Sequence, residues 1–522
     1  MRVLLIKPIS TQKWEDDCFY PEIGLGYLAT TLKKHGHQVE ILDCVREELD
    51  FPGFKNLIEK RGPADFYGFK VYSMNTANVN RQIDLIREIH PQAVVAVGGP
   101  HPSGVGEKIF SHIPRADFAF QGEGEPGLPK LLEKLEGQRS EVKGQGEETQ
   151  NSKVKAQREE TTSSKLKAQS SKAKGQDSES KFQNQPLNFD LSPLSFNDVP
   201  GLIYRENGGI KVNPPAFVED LDGLGYPDWE ALDVKNYHRK RRWVRLIGKD
   251  YFPILTSRGC PYSCSYCEAF RITGRKVRRH SIEYVLGWIE KLHQDYGIKY
   301  FSVSDDAFTQ ERDYVIALCR EILARGLEIK WDCGSNGIRF DRIDPEMLHL
   351  MERAGCFYVT VAIESGSERV LKDMNRRSDL PAIRAGIELI KRESKMAIGA
   401  FFILGFPTET REDILRTIRL ARSLPIDAPQ FFLFTPHPGT PVLDKMITDK
   451  KINLENWDLY NYYRPSVPLA DVSLTGLKLY QAYAYLSFFL RPRLISQIVI
   501  RYIRDLSDFS NLTRFLSRII KG

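Results

Sequence analysis

The 522-residue sequence carries 74 lysines and arginines against 68 aspartates and glutamates, a formal net charge of +6, with 41% hydrophobic and 11% aromatic residues. That balance belongs to a globular chain too long for one core, so roughly two to four domains are expected. It excludes a disulfide scaffold, because eight cysteines are few for this length and their clustering fits a reducing, cytoplasmic setting. No apolar run reaches the length of a membrane span. The start, Met1-Arg2-Val3-Leu4-Leu5-Ile6-Lys7, lacks the long apolar region of a signal peptide and reads as a first strand. The small net charge comes with no nucleic-acid motif, so no nucleic-acid partner is expected.

Residues 1–135 alternate strand and helix patterns. Strand candidates at 3–7, 38–43, 66–72, 93–98 and 117–121 are rich in Val, Ile and Phe, with helical patterns between them at 24–35, 54–60, 77–90 and 125–135. This α/β alternation predicts a doubly wound, flavodoxin-like parallel sheet, whose ligands would sit beyond the carboxyl ends of the strands. Those ends are Tyr72-Ser73-Met74-Asn75, Val97-Gly98-Gly99-Pro100-His101 and Gln121-Gly122-Glu123-Gly124-Glu125. Their glycines either let a backbone approach a flat ligand or simply make tight turns. The strand ends alone leave the two readings level.

From 136 to 186 no aromatic residue appears before Phe182, and Val142-Lys143-Gly144-Gln145 recurs as Val154-Lys155-Ala156-Gln157 and Leu166-Lys167-Ala168-Gln169. A segment so poor in apolar residues cannot offset the entropy of ordering, and a disordered insertion is expected. Section 187–244 reads as a β-hairpin turning at Asn207-Gly208, then a surface linker from Asp220-Leu221-Asp222 through Pro227-Asp228-Trp229; a basic cluster, His238-Arg239-Lys240-Arg241-Arg242-Trp243, follows.

Section 245–445 has six strand candidates, at 252–256, 300–304, 328–333, 358–363, 400–404 and 430–434, separated by helical segments. Six β/α units predict a partial TIM barrel, with active residues at the carboxyl ends of the strands. The loop after its first strand is Cys260-Pro261-Tyr262-Ser263-Cys264-Ser265-Tyr266-Cys267. Three thiolates at such spacing suit one small iron–sulfur cluster and leave one iron without a protein ligand. Zinc would want a fourth ligand, and the next histidine, His280, is far along the chain. A chance run of core cysteines fits poorly, since three of the eight fall within eight residues. The other strand ends offer Asp305, Asp306 and Glu364, which would accept hydrogen bonds from an ammonium group or ribose hydroxyls. Taken singly, each is equally well read as a helix cap or surface charge.

The cysteine array, with an aromatic residue before its third member, resembles the signature of the radical S-adenosylmethionine (AdoMet) enzymes. The resemblance implies that Cys260, Cys264 and Cys267 hold a 4Fe-4S cluster whose open iron chelates AdoMet. It also implies that an electron, from a carrier such as flavodoxin or ferredoxin, cleaves AdoMet to a 5′-deoxyadenosyl radical. Tyr266 and the motif around Leu404 would lie near the adenine, and Glu364 and Ser365 near the ribose. Asp305-Asp306 stands where the family often has a Gly-Gly-Glu that contacts the methionine amine. The order Pro21-Glu22-Ile23-Gly24-Leu25-Gly26, Gly98-Gly99-Pro100-His101, Gly122-Glu123-Gly124-Glu125 looks like the cobalamin-binding domain that precedes many radical AdoMet domains. It implies cobalamin contacts from Ser73, Gly98, Gly99, His101, Gly122 and Glu123. In one departure, the loop from Pro8 to Pro21 contains no histidine to ligate cobalt. His101 either approaches the ring or is a satisfied surface histidine. The combination implies C-methylation of a small-molecule or lipid-like substrate. Its alternatives are cyclisation or rearrangement, or a first domain that is a partner-binding module without cofactor.

Section 446–522 is helical and aromatic, with Leu494, Ile495, Ile498, Val499, Tyr502 and Ile503 at helical spacing. A helix capping the barrel is expected. The sharper alternative is peripheral contact between a basic face and an anionic membrane.

Overall fold

A computed structural model describes residues 1–10, 21–138, 194–237, 251–449, 452 and 471–491. Outside them lie nearly all of the repeat-bearing insertion, the loop with Cys18, the basic cluster from His238 onward, and the amphipathic and basic tail beyond Arg491.

The first sheet begins with β1 (Arg2–Lys7), β2 (Gln38–Asp43), β3 (Phe66–Lys70), β4 (Val94–Gly98) and β5 (Phe118–Phe120), parallel and in the order β2-β1-β3-β4-β5. This is the flavodoxin-like winding expected. β1 buries four apolar residues in succession, as a strand covered on both faces must. Val3 and Leu5 pack with Leu25 and Leu32 of α1 (Ile23–Lys34). Leu4 and Ile6 pack with Phe54 and Ile58 of α2 (Phe51–Arg61) and Val79 and Ile83 of α3 (Thr76–Ile89).

Two expectations for section 187–244 need correction. The hairpin forms as β6 (Leu202–Glu206) and β7 (Gly209–Val212), with Asn207 and Gly208 at φ 50° and 78°. It is part of the first sheet, however, because β6 pairs antiparallel with β5 and makes that sheet seven-stranded. β5 is only three residues long, and the hairpin covers an edge that would otherwise be open. The linker is not a surface segment. Leu221, Trp229, Leu232 and Val234 are buried, and Trp229 meets Phe252 and Trp288 at ring-centroid distances of 5.3 and 5.4 Å. A methyl group on Gly26 of α1 would meet Leu232 at 2.6 Å and Pro227 at 2.9 Å. The connection is therefore packed into a core that both domains share.

The second sheet contains β8 (Tyr251–Ile254), β11 (Tyr300–Val303), β12 (Lys330–Ile338), β13 (Cys356–Glu364), β14 (Ala397–Leu404) and β15 (Ala428–Leu433). They lie side by side in chain order, all parallel, and form the expected six-stranded partial barrel. Two short strands, β9 (Ser257–Arg258) and β10 (Arg278–Arg279), pair antiparallel across the base of the cysteine loop. The helix Leu474–Phe489 covers the β15 edge: Gln481 Nε2 donates to the Phe431 carbonyl (2.7 Å) and Phe431 N–H donates to the Tyr485 hydroxyl (3.1 Å). That is the expected capping helix. Cys44, Cys319, Cys333 and Cys356 are buried single thiols, as expected.

Candidate active site

The cysteine loop is held from three sides. The Cys260 N–H donates to the Gly274 carbonyl (3.1 Å), Ser265 N–H to Met374 O (3.0 Å) and Val442 N–H to Ser265 O (3.0 Å). Gly259, at φ 99°, has no room for a side chain against the Lys276 carbonyl, so the entry to the loop requires glycine. Cys260, Cys264 and Cys267 are all partly exposed thiols. Burial pushes the Cys267 thiol up to about 12, and its neighbours Cys264 and Cys260 add to the effect. Arg376 brings its Nη1 to 3.8 Å from the Cys264 sulfur, a partner that sequence reading missed. Among the described residues no three His, Cys, Asp or Glu side chains converge around one metal ion. Three adjacent thiols without a fourth protein ligand in the loop suit a multi-iron cluster, one sulfur per iron, better than a closed four-ligand zinc site.

The barrel-end residues divide. Glu364 sits at φ 72°, a conformation costly for a residue with a side chain. It is buried and accepts a hydrogen bond from the Tyr266 hydroxyl (2.8 Å). Burial raises its pKa, partly countered by Arg376. Tyr266 and Ile403 pack against a nest of Phe406, Phe434, Val442 and Met374. Asp306 lines the cavity described below and accepts from Thr273 Oγ1 (2.6 Å). Three of the expected AdoMet contacts turn their side chains into the protein. Asp305 is buried and accepts from Thr256 N–H (2.6 Å), Ser257 Oγ (2.6 Å) and Thr256 Oγ1, so it ties β11 to the β8–β9 turn. Ser365 is buried behind the strand end, 3.3 Å from Thr417 Oγ1, with its Oγ accepting from Ser367 N–H. Leu404 points into the core. Side chains alternate along β14, so it is Ile403 that reaches the apolar nest.

A cavity of about 700 Å³ separates the two domains. The first domain contributes Gly24, Gly98, Gly99, Gly122, Glu123 and Gly124, and the barrel contributes Ser302, Ser304, Asp306, Ser335 and Thr273. Gly24 has nothing within 4 Å of where a Cβ would stand, so its bare backbone leaves the cavity open to a broad, flat group. Gly99, at φ 101°, lets the turn after β4 pass close to Val71. Ser73 and His101 are buried and are not part of this lining. His101 is fully buried, with Nδ1 2.9 Å from Ser73 Oγ and Nε2 3.0 Å from His112 Nδ1. Glu123 touches the cavity, but its carboxylate is gripped by Arg278 (2.8 and 2.9 Å), with Arg258 at 3.4 Å; Glu125 pairs with Arg258 at 3.0 Å. It joins the domains. Lys7, Glu22, Lys70 and Tyr72 also line the cavity as an ion-paired group. Glu22 and Tyr72 lie within stretches that the sequence singles out, whereas no motif pointed to Lys7 or Lys70.

The comparisons agree with this layout. The B12 binding domain family matches residues 18–132, and the Radical SAM superfamily matches residues 254–421. An uncharacterized methyltransferase of Pyrococcus horikoshii is 27% identical over all of this chain and 98% of its own length. The cytidylyl-2-hydroxyethylphosphonate methyltransferase of Streptomyces wedmorensis is 27% identical over 91% of this chain and 86% of its own. The solved structure of the cobalamin-dependent S-adenosylmethionine radical enzyme OxsB, with aqua-cobalamin and S-adenosylmethionine bound, superposes with a TM-score of 0.67 at 16% identity, over 97% of this chain and 72% of its own. The three-cysteine loop at the mouth of the partial barrel falls within the Radical SAM match and the glycine-lined doubly wound sheet within the B12-binding match, so the chain is an enzyme that carries an N-terminal B12-binding domain and a C-terminal radical SAM domain.

Proposed function

We propose that the protein is a cobalamin-dependent radical SAM methyltransferase acting on an unactivated carbon of a small molecule. The observation that carries this reading is the cavity itself, walled by the carboxyl ends of the first sheet and by the mouth of the barrel. When bound, the cluster with AdoMet supplies a hydrogen-abstracting carbon radical, and cobalamin supplies the methyl group. That two near full-length relatives are named methyltransferases supports methyl transfer over other fates of the radical.

The chain's own contribution is placement and exclusion of water. Cys260, Cys264 and Cys267 hold the cluster, and the Arg376 guanidinium offsets negative charge at Cys264. Tyr266, Ile403 and Phe406 give the adenine an apolar bed. Glu364 accepts from ribose hydroxyls, its geometry held by the Tyr266 hydroxyl. Asp306 is the carboxylate left for the methionine ammonium, since Asp305 is occupied by three donors. Gly24, Gly98 and Gly99 give the macrocycle a flat floor. Ser302, Ser304 and Ser335 supply hydroxyls to a small polar substrate on the barrel side. The electron comes from an external one-electron carrier such as flavodoxin or ferredoxin.

Product analysis on anaerobically reconstituted protein tests the reading. S-adenosylhomocysteine formed together with 5′-deoxyadenosine is expected; 5′-deoxyadenosine alone in the presence of a turned-over substrate would replace methylation with rearrangement or cyclisation. Cys260→Ala, Cys264→Ala and Cys267→Ala should each abolish AdoMet cleavage and the cluster's visible absorbance.

A further inference from the structure

The helix Leu474–Phe489 buries Leu477, Ala484 and Phe488 against the barrel. Its outward face is also apolar. Leu479 (66% exposed), Tyr483 (47%), Leu486 (43%) and Leu490 (64%) form one stripe at helical spacing. A helix that is apolar all round is normally covered on both sides. The stripe does not stand alone. Arg491, at the end of this helix, donates from its Nη1 to the Arg422 carbonyl (2.9 Å), which sets the helix Arg411–Ser423 alongside. That helix turns Arg411, Arg416, Arg419 and Arg422 outward against one exposed acid, Glu412, which Arg416 and Arg419 share. Beyond Arg491 the sequence adds Arg493, Arg501, Arg504, Arg514, Arg518 and Lys521 against Asp505 and Asp508.

We infer that this face is a peripheral docking surface for an anionic lipid bilayer, with the Leu479–Leu490 stripe entering the headgroup boundary and the arginine row paired with lipid phosphates. Large side chains flanked by arginines are what an interfacial contact requires, and each basic residue near an anionic surface adds attraction that salt screens. A second copy of this chain would bring arginine row to arginine row, so charge favours the bilayer. Among the described residues no helix is long and apolar enough to cross a membrane, so the contact lies on the surface. It does not depend on the chemistry proposed above.

Flotation of the full chain with vesicles of phosphatidylglycerol and phosphatidylcholine tests this. Binding is expected to the mixed vesicles, to weaken with salt, and to be lost on pure phosphatidylcholine. The triple variant Arg416→Glu/Arg419→Glu/Arg422→Glu and the pair Leu479→Ser/Leu486→Ser should each partition about tenfold less or worse, with thermal unfolding and cluster absorbance retained. Absence of binding to anionic vesicles, or binding unchanged in both variants, would overturn the inference. So would a dimer that sediments as such and dissociates in Leu479→Ser/Leu486→Ser without any vesicle binding.

Discussion

Adjacent carboxylates at one strand end do opposite work. Asp305 accepts from three buried donors, whereas Asp306 accepts from Thr273 and faces the cavity. Asp305→Ala strands those donors and should cost about 1–3 kcal/mol of stability, read as a lower urea midpoint. Asp306→Asn should leave the midpoint unchanged and weaken AdoMet binding. The reverse pattern would exchange their roles. His101 gives a pH signature. Burial first, and His112 second, hold its pKa down to about 3, against 6.5 for an ordinary imidazole. Below pH 6.5 the unfolded chain takes up a proton that the folded chain refuses until near 3. Stability is therefore lost as pH falls through that window, by up to about 1.4 kcal/mol per pH unit. His101→Gln should flatten the fall in unfolding free energy between pH 6.5 and 5; an unchanged slope would show that other groups dominate. Glycine roles separate just as clearly. Gly24→Leu projects into open cavity and should keep the fold while abolishing the corrinoid absorbance retained by the parent after incubation with hydroxocobalamin. Gly99→Ala, at φ 101° and close to Val71, should destabilise the fold itself.

At the scale of elements, the loop between β5 and its helix and the short strands β9 and β10 act together. Glu123 and Glu125 extend from the first domain to Arg258 and Arg278, which flank the cysteine loop. All four are buried. Removing one partner from such a group leaves an uncompensated charge, so Arg278→Met should cost about 3–5 kcal/mol, and Glu123→Gln in the same chain should restore part of it. Additive losses in the double variant would show that the pair does not couple the domains. The same loop shows what sequence leaves open. Gly122-Glu123-Gly124-Glu125 stands out in the chain, but nothing local says whether its carboxylates meet a ligand or another domain. The hairpin shows the complementary case. Asn207-Gly208 makes its turn legible, while the sheet it joins depends on an edge left open by β5 far away in the chain.

For the whole molecule, the order of elements, the parallel strands of both sheets and the cluster loop follow from local signals. Strand and helix periods, Gly at strand ends, and three cysteines at fixed spacing are short-range properties, and the sequence alone determines them. What only the tertiary structure decided is which side of each strand end a residue occupies and what meets it there. Leu404 and Ser365 turn inward, Ser73 and His101 pair below the cavity surface, and Asp305 is absorbed by β8 and β9. Lys7, Lys70, Arg258 and Arg376 join the site without any motif. The reason is physical: a side chain's direction follows from backbone pleat and turn geometry, and its partner from packing between segments distant in sequence. The segment Leu221–Val234, which reads as a linker, is buried between α1 and the barrel and, with the Glu123–Arg278 group, holds the two domains face to face.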